Sequence, residues 1–252
     1  MKQVSMRTSL CAAALLWSVC GNPDLAQAEA SEHAHGAPSV QASTQTPPVE
    51  LNPAAGQSLG ATFEAFLSPH QEPNEEANTP KTVPKQFQST APSKTRAERE
   101  AAGHRGHGVV RFSKDLSRAY VDVKVEGHRV QDINMFHIHC GKPGILGPIL
   151  VDFSAITNIQ ENLADGTFSV EITNEAITKT VAHGGGIVGA FTAGCVIPSG
   201  SLEAGKPPKV STVAGMWTIA QEGELYFNLH TVGHTYYGDI RGQLIAVPSV
   251  SK

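Results

Sequence analysis

The chain has 252 residues, which is enough for one substantial domain or two small ones. Its 19 basic and 23 acidic residues give a formal charge of −4, and no basic cluster with interleaved aromatic residues occurs, so the composition favours no nucleic-acid partner. A hydrophobic content of 40%, together with 24 Gly and 16 Pro, is typical of a turn-rich β protein.

The N-terminus has the pattern of an export signal over residues 1–30. Lys2 and Arg7 supply its positive start, an apolar run follows, and the small residues of "LAQAEA" suit a cleavage site. The apolar run is too short for a stable membrane anchor, so no transmembrane segment is expected in the mature chain. We therefore expect a periplasmic or secreted, extracytoplasmic protein. Lipid attachment at Cys20 ranks second, because the preceding Val19 is larger than the residue that such sites prefer.

Residues 31–60 are rich in Pro, Ser, Thr, Ala and Gln without apolar periodicity, which predicts a disordered leader. Cleavage before Ser31 would make His33 the third residue of the mature chain. An amine, two amides and one imidazole nitrogen can then enclose Cu(II) in a square plane, with His35 close enough to assist transfer. Cleavage before Glu29 is equally compatible with the sequence and leaves two ordinary histidines.

The chain from residue 61 onward predicts short strands separated by turns that contain glycine and proline. The predicted strands cover 61–67, 108–113, 119–127, 134–140, 148–153, 167–173, 224–231 and 238–247. Strands at this spacing predict an all-β sandwich or barrel with long loops, formed by one domain over residues 61–248.

Two stretches interrupt this pattern and are interpreted as inserted loops, near 78–104 and 175–210. The first is polar and broken by prolines, with one helical turn predicted at 93–102, where Ser93 would be the N-cap. Within the second, residues 181–209 are glycine-rich and irregular, as covering or functional loops are. A short helix is predicted after it, within 210–223.

The strand at 134–140 carries a His-x-His pair. Alternation places His137 and His139 on one face and the apolar side chains, together with Cys140, on the other. In a later strand, His230 likewise lies opposite the apolar face. If the two strands are neighbours, the three imidazoles meet and offer a metal ion three nitrogen ligands. The alternative is a set of hydrogen-bonded histidines on a wet sheet face.

Three segments of the chain fit one family pattern when they are taken in order: "FEAFLSPHQEP", "FHIHCGKPGILGPILVDF" and "GELYFNLHTVGHTYYGDIRGQL". They resemble the signature regions of the CHRD domain, which occurs in chordin and in many exported bacterial proteins. The resemblance covers roughly residues 61–247. It implies an immunoglobulin-like β-sandwich reminiscent of Cu/Zn superoxide dismutase and no established activity. The histidine positions of the family fall on His137, His139 and His230, whereas Asp239 stands where the family usually has Glu.

The remaining histidines set the chain apart from Cu/Zn superoxide dismutases, which also hold copper on a His-x-His strand. No histidine follows His139 before His183, so the zinc subsite of those enzymes is not expected. His183 has two possible interpretations, a fourth metal ligand or an exposed loop residue. His234 lies outside the family pattern and has the same two interpretations. His104 and His107, beside a glycine-rich turn, are interpreted as ordinary loop histidines.

Removal of the signal peptide takes Cys11 and Cys20 away and leaves Cys140 and Cys195. In an exported protein, two remaining cysteines predict a disulfide rather than two free thiols. A copper site with Cys140 as a thiolate ligand is disfavoured, because alternation points its side chain away from that of the adjacent His139.

No Ser-His-acid group or paired carboxylates stand out in the sequence, so it does not indicate a hydrolase. Three other functions are considered. The favoured one is metal binding at His137, His139 and His230, with copper preferred and zinc as the alternative, because imidazole-rich sites suit both ions. The second is a redox enzyme resembling a copper-only superoxide dismutase. The third is a non-catalytic interaction module whose histidines only hydrogen-bond a loop. The sequence indicates no particular protein partner.

Overall fold

Two antiparallel β-sheets pack face to face in the structure, a computed structural model that describes residues 59–183, 195 and 209–248. The strands of these residues are β1 (Leu59–Leu67), β2 (Arg105–Ser113), β3 (Arg118–Glu126), β4 (Ile133–Cys140), β5 (Ile149–Asp152), β6 (Thr167–Thr173), β7 (Leu225–Thr231), β8 (Ile240–Gln243) and β9 (Ile245–Ala246). One sheet has the order β6-β3-β2-β1-β9 and the other has the order β5-β4-β7-β8. The predicted all-β sandwich is confirmed.

The core lies between the sheets, because alternate side chains of each strand face inward. Phenylalanine rings from both sheets meet at its centre, where Phe136 lies 5.2 Å from Phe168 and 5.7 Å from Phe227 between ring centroids. Gly108 of β2 leaves room for this packing, since a Cβ there would lie 2.7 Å from Cε2 of Phe227. Burial of aromatic rings supplies a large share of the hydrophobic free energy of such a core.

Helices occupy several of the connections between strands. They are α1 (Arg96–Ala101), α2 (Ile159–Asn162), α3 (Asn174–His183) and α4 (Val213–Gln221). Short 3₁₀ turns occur at Pro69–Gln71, Glu76–Asn78, Lys85–Phe87, Val130–Asp132 and Phe153–Ala155. The short helix predicted within 210–223 is confirmed as α4.

The start of α1 corrects one prediction. Thr95, and not Ser93, is the N-cap, because its hydroxyl accepts a hydrogen bond from the Glu98 backbone N–H. The Glu98 carboxylate accepts the Thr95 backbone N–H at 2.7 Å in return, which completes a capping box. The Thr-x-x-Glu spacing carries this signal in the sequence, where Ser93 has no acidic partner three residues later.

α3 begins at the start of the insertion near 175–210, where no helix is predicted from the sequence. Ala176, Ile177 and Thr180 share one buried face of this helix. The Thr180 hydroxyl accepts the backbone N–H of Asp152 at 2.9 Å, so α3 packs against the end of β5. The rest of that insertion apart from Cys195, the signal peptide and nearly all of the leader lie outside the described residues.

β4 and β7 are hydrogen-bonded neighbours at the centre of the four-stranded sheet. Their antiparallel register pairs Met135 with His230 and His137 with Asn228. The two strands that carry the candidate histidines are therefore adjacent, as metal binding by all three requires. Among the described residues, no helix is both long enough and apolar enough to cross a membrane.

Candidate metal centre

The structure brings the three predicted histidines together. His137 and His139 project from β4 and His230 from β7, all from the sheet face that points away from the sandwich core. The His137 ring lies 5.3 Å from that of His139 and 5.1 Å from that of His230, between centroids. One ligand nitrogen from each residue lies within 4.8 Å of the other two.

Backbone carbonyls fix the orientation of two of these rings. His139 Nδ1 lies 2.9 Å from the Gly147 carbonyl oxygen, and His230 Nδ1 lies 3.0 Å from the Thr235 carbonyl oxygen. A carbonyl only accepts hydrogen bonds, so both Nδ1 atoms carry the proton and both Nε2 atoms present a lone pair. This is the arrangement in which proteins hold metal-binding imidazoles.

Each of the three histidines has a buried ring nitrogen without a hydrogen-bond partner. These atoms are His137 Nδ1, His139 Nε2 and His230 Nε2. An unsatisfied buried polar atom costs on the order of 1–3 kcal/mol, so such atoms are uncommon in native structures. Three of them on rings that face one another form a donor set that a ligand would satisfy.

The site is covered, whereas the alternative considered for these histidines places them on a wet sheet face. His137, His139 and His230 expose 3%, 5% and 4% of their surfaces. A cavity of about 60 Å³ lies against them, lined also by Phe87, Met135, Leu146, Gly147, Ile149, Thr235 and Tyr236. Phe87 belongs to the stretch near 78–104, so the cover comes from a segment that the sequence suggests is only an inserted loop.

Hydrogen bonds fasten this insertion to the loop between β7 and β8. Glu76, just before this insertion, accepts through its carboxylate the backbone N–H groups of Tyr236 and Tyr237 at 3.1 and 3.0 Å, and it also accepts the Ser89 hydroxyl of the insertion at 2.8 Å. The Val232 carbonyl accepts two further N–H groups from the insertion. These contacts keep the insertion over the histidines.

Burial keeps the imidazoles neutral. Desolvation lowers the pKa of His137 and His139 well below the usual value of 6.5, and it lowers the pKa of His230 to about 4. At neutral pH these rings therefore present lone pairs rather than N–H⁺ groups. Metal binding requires this protonation state.

Two stacked side chains support His139 from the neighbouring strands. The Tyr226 ring lies 5.0 Å from the His139 ring with an interplanar angle of 9°, and Arg241 lies 3.4 Å from the Tyr226 centroid on a cation–π contact. The Tyr226 hydroxyl also accepts the Gly147 backbone N–H at 3.0 Å. A Cβ on Gly147 would meet the Cys140 carbonyl oxygen, so only glycine lets the loop come this close.

The predicted disulfide is present between Cys140 and Cys195, whose Cα atoms lie 5.8 Å apart. Both residues are buried, and Cys140, which follows His139 on β4, points into the core. The thiolate copper site that alternation disfavours is thus also excluded by pairing of the two cysteines.

The structure does not place the other candidate ligands in this cluster. His234 lies against a different cavity, and its Nε2 accepts the Lys94 backbone N–H at 3.1 Å. His183 ends α3, and its side chain lies outside what the structure describes, as do His33 and His35. His107 is exposed and lies 3.4 Å from a Glu64 carboxylate oxygen.

A second cluster, formed by His104, His128 and Asp239, is absent from the sequence-based prediction. Burial acts to raise the pKa of Asp239, but hydrogen bonds from both histidines hold it well below its usual range, so the carboxylate is ionised. The sequence contains a signal for this cluster. β2 and β3 pair as a hairpin in which Arg105 lies opposite Glu126. His104 precedes β2 and His128 follows β3, so recognising this hairpin in the sequence places the two histidines close together.

Comparison with known proteins agrees with the β-sandwich. The model of the family described as "CHRD domain" matches residues 63–244. No curated protein and no solved structure matches the chain. Because the family match covers well over half of the sequence, this chain belongs to the CHRD domain family.

Proposed function

We propose that this protein binds a copper ion in an extracytoplasmic compartment through His137, His139 and His230. The proposal rests on one observation, which is that three buried imidazoles each bring a ligand nitrogen within 4.8 Å of the other two. Each of these rings also has a buried nitrogen without a hydrogen-bond partner. Metal–nitrogen bonds of about 2.0–2.1 Å in a tetrahedral shell place ligand nitrogens about 3.3 Å apart. Small rotations of the three rings meet this requirement.

Two features of the lining favour copper over zinc. Met135 lies opposite His230 in the strand register and lines the same cavity, and thioether sulfur is a soft ligand that suits Cu(I). The described lining contains no carboxylate, and Asp152 lies 3.7 Å from His137 on the neighbouring strand β5. Zinc is the alternative ion, because three imidazoles suit it as well.

A redox enzyme resembling a copper-only superoxide dismutase is the second candidate function. Bound copper would supply one-electron chemistry, while the protein would orient the three imidazoles and exclude bulk water. The cavity of about 60 Å³ beside the rings favours this candidate, because it holds a water-sized ligand. Superoxide consumption by the copper-loaded protein, compared with the His137→Ala, His139→Ala variant, separates an enzyme from a binding protein.

The interaction module is the third candidate, in which the histidines only hydrogen-bond a loop. His139 and His230 do bond loop carbonyls, each through one nitrogen. That function leaves the remaining ring nitrogens unsatisfied at a cost of about 1–3 kcal/mol each. A bound ion removes this cost, so we rank metal binding first.

The deciding experiment measures the metal content of untagged protein. We expect about one equivalent of copper in the wild type and none in the His137→Ala, His139→Ala variant, with an unchanged β-type circular dichroism spectrum. The matched control is His70→Ala, His107→Ala, because both of these side chains are exposed. Equal metal content in all three proteins would reject the site, and zinc in place of copper would correct the identity of the ion.

Extracytoplasmic placement is part of the proposal and has its own support. The Cys140–Cys195 disulfide fits an oxidising compartment. Sequencing of the mature N-terminus tests the placement, since a start at Ser31 or Glu29 agrees with export and an intact Met1 contradicts it. A Ser31 start would also permit copper binding by His33, which a leader peptide titrated with Cu(II) would test.

A further inference from the structure

His104, His128 and Asp239 meet at one end of the sandwich, where the two sheets approach each other. His104 directly precedes β2, His128 follows β3, and Asp239 directly precedes β8. The pairing of Arg105 with Glu126 brings the two histidines together. The cluster thus joins a hairpin of one sheet to a turn of the other.

The three side chains meet at one carboxylate oxygen. Asp239 Oδ1 lies 2.7 Å from His104 Nδ1 and 3.1 Å from His128 Nε2. The two imidazole centroids are 4.2 Å apart, and the three ligand atoms lie within 4.8 Å of one another. The side chains expose only 8%, 2% and 2% of their surfaces. These oxygen–nitrogen separations are shorter than the roughly 3.3 Å expected around a tetrahedral ion, so an ion that replaces the hydrogen-bonded protons would move the ligand atoms apart by up to about 0.6 Å.

Supporting contacts hold these groups in orientations that suit an ion. His128 Nδ1 donates to the Glu126 carbonyl at 2.9 Å, which directs Nε2 toward Asp239. The Thr231 hydroxyl donates to Asp239 Oδ2 at 3.0 Å. Backbone carbonyls and hydroxyls in these positions are typical partners of metal-binding imidazoles and carboxylates.

A cavity gives the cluster access to solvent and room for a further ligand. It has a volume of about 140 Å³ and is lined by all three side chains and by Asp132. His234, which is 3% exposed, lines the same cavity and has a buried Nδ1 atom without a partner. Unsatisfied polar groups of this kind mark a space that a polar or ionic ligand occupies.

We propose that His104, His128 and Asp239 form a second metal site, which takes a divalent cation of the zinc type with water as a further ligand. Two imidazoles, one carboxylate and an open position are a common zinc donor set. The donor set differs from the histidine-only cluster, which has no carboxylate. The two sites are also separated by β7, because His230 and Thr231 project from opposite faces of that strand.

The site is tested by calorimetric zinc titration of the full chain carrying His137→Ala and His139→Ala, which removes the first cluster. We expect about one equivalent of zinc to bind. Adding His104→Gln and His128→Gln should remove this binding, whereas adding His107→Gln, on the exposed side of β2, should leave it unchanged. Absence of zinc binding in the His137→Ala, His139→Ala protein, or unchanged binding after the two glutamine substitutions, would overturn the proposal and would leave the copper proposal untouched.

A measurement on the unmodified protein guards against variants that fail to fold. Crystals grown with zinc should show an anomalous peak at the zinc absorption edge between His104 Nδ1, His128 Nε2 and Asp239. Crystals of protein that lacks the first cluster should retain this peak. Zinc peaks elsewhere in the crystal, with only hydrogen bonds among these three side chains, would show that the cluster is a structural network and would overturn the proposal.

Discussion

Glu72 is a buried carboxyl group close to the copper candidate but not part of it. Asn228 donates to its Oε2 at 3.2 Å, and the Arg241 and Arg99 guanidinium groups lie near enough to favour its charged form. Burial outweighs these effects and raises the pKa of Glu72 from 4.5 to about 8. The folded protein therefore keeps this side chain protonated at neutral pH.

Stability should consequently decrease with rising pH in the window that Glu72 defines. The folded-state pKa lies above the unfolded value of 4.5, so the contribution is complete below pH 4.5 and is lost as the pH rises through about 8. Glu72→Gln imitates the protonated group and should flatten the dependence of unfolding free energy on pH between these values. Urea denaturation across this range measures the effect, with the exposed Glu222→Gln as the control. A slope that Glu72→Gln leaves unchanged contradicts the assignment.

Tyr226 positions His139 without being a candidate ligand. Tyr226→Phe keeps the stacked ring but leaves the Gly147 N–H without its acceptor, which loosens the carbonyl that orients His139. We expect copper affinity to fall roughly 10-fold, at the lower end of the range for groups that orient ligands. Competition with a chelator measures the affinity. Tyr120→Phe, in the other sheet, is the matched control, and equal affinities for both variants would disprove the positioning role.

At the scale of elements, substitution of the N-cap of α1 measures how strongly that cap stabilises the insertion. Thr95→Ala removes the hydroxyl of the capping box and should lower the free energy of unfolding by about 1 kcal/mol. Ser93→Ala should change it by much less, because Ser93 lies outside the helix boundary. Chemical denaturation of both variants decides between the two positions, and a larger loss for Ser93→Ala would reverse the assignment of the N-cap.

The disulfide ties β4 to a residue 55 positions later in the chain. Replacing Cys140 and Cys195 together by Ser should lower the free energy of unfolding by about 4 kcal/mol in the chain-entropy model. Adding a reductant to the wild type should give a loss of similar size and should not affect the double variant. Two titratable thiols in the folded, unreduced wild type would show that the bond does not form in solution.

Periodicity predicts strands well where the side chains of one face are buried and those of the other are not. β6 is predicted residue for residue, and β1 to within two residues. α3 fails this test because Ala176, Ile177 and Thr180 face β5, a tertiary contact that no local pattern shows. The final predicted strand is divided because β8 pairs with β7 in one sheet and β9 pairs with β1 in the other.

For the whole molecule, occupancy of the copper site should be visible in global stability. An ion that binds only the folded state stabilises it by about 2.7 kcal/mol at a free concentration 100-fold above its dissociation constant. We expect the melting temperature of the wild type to rise with copper and to fall again with a chelator. The His137→Ala, His139→Ala variant should show neither change, and an equal shift in that variant would place the bound copper elsewhere.

Local sequence predicts which histidines form the candidate site, but it does not predict the rest of the site. Alternation selects His137, His139 and His230, because their strands each have one apolar face. The second cluster could not be predicted from local sequence, because Asp239 contacts a hairpin more than 100 residues earlier in the chain. That contact depends on how the two sheets pack. Burial of the first cluster depends in turn on an insertion whose own sequence is polar.

The insertion near 78–104 bears on the rate at which an ion would exchange with solvent, which is a different property from the affinity of the site. The imidazoles determine how tightly an ion is held at equilibrium, whereas Phe87 and the segment around it determine how often the path to solvent opens. Because the Glu76 contacts must break before the cover moves, exchange of an ion would be gated by local opening and not by ligand strength. If an ion binds as proposed, we expect a long residence time even where affinity is moderate, which suits storage or a permanent cofactor better than rapid transfer between partners.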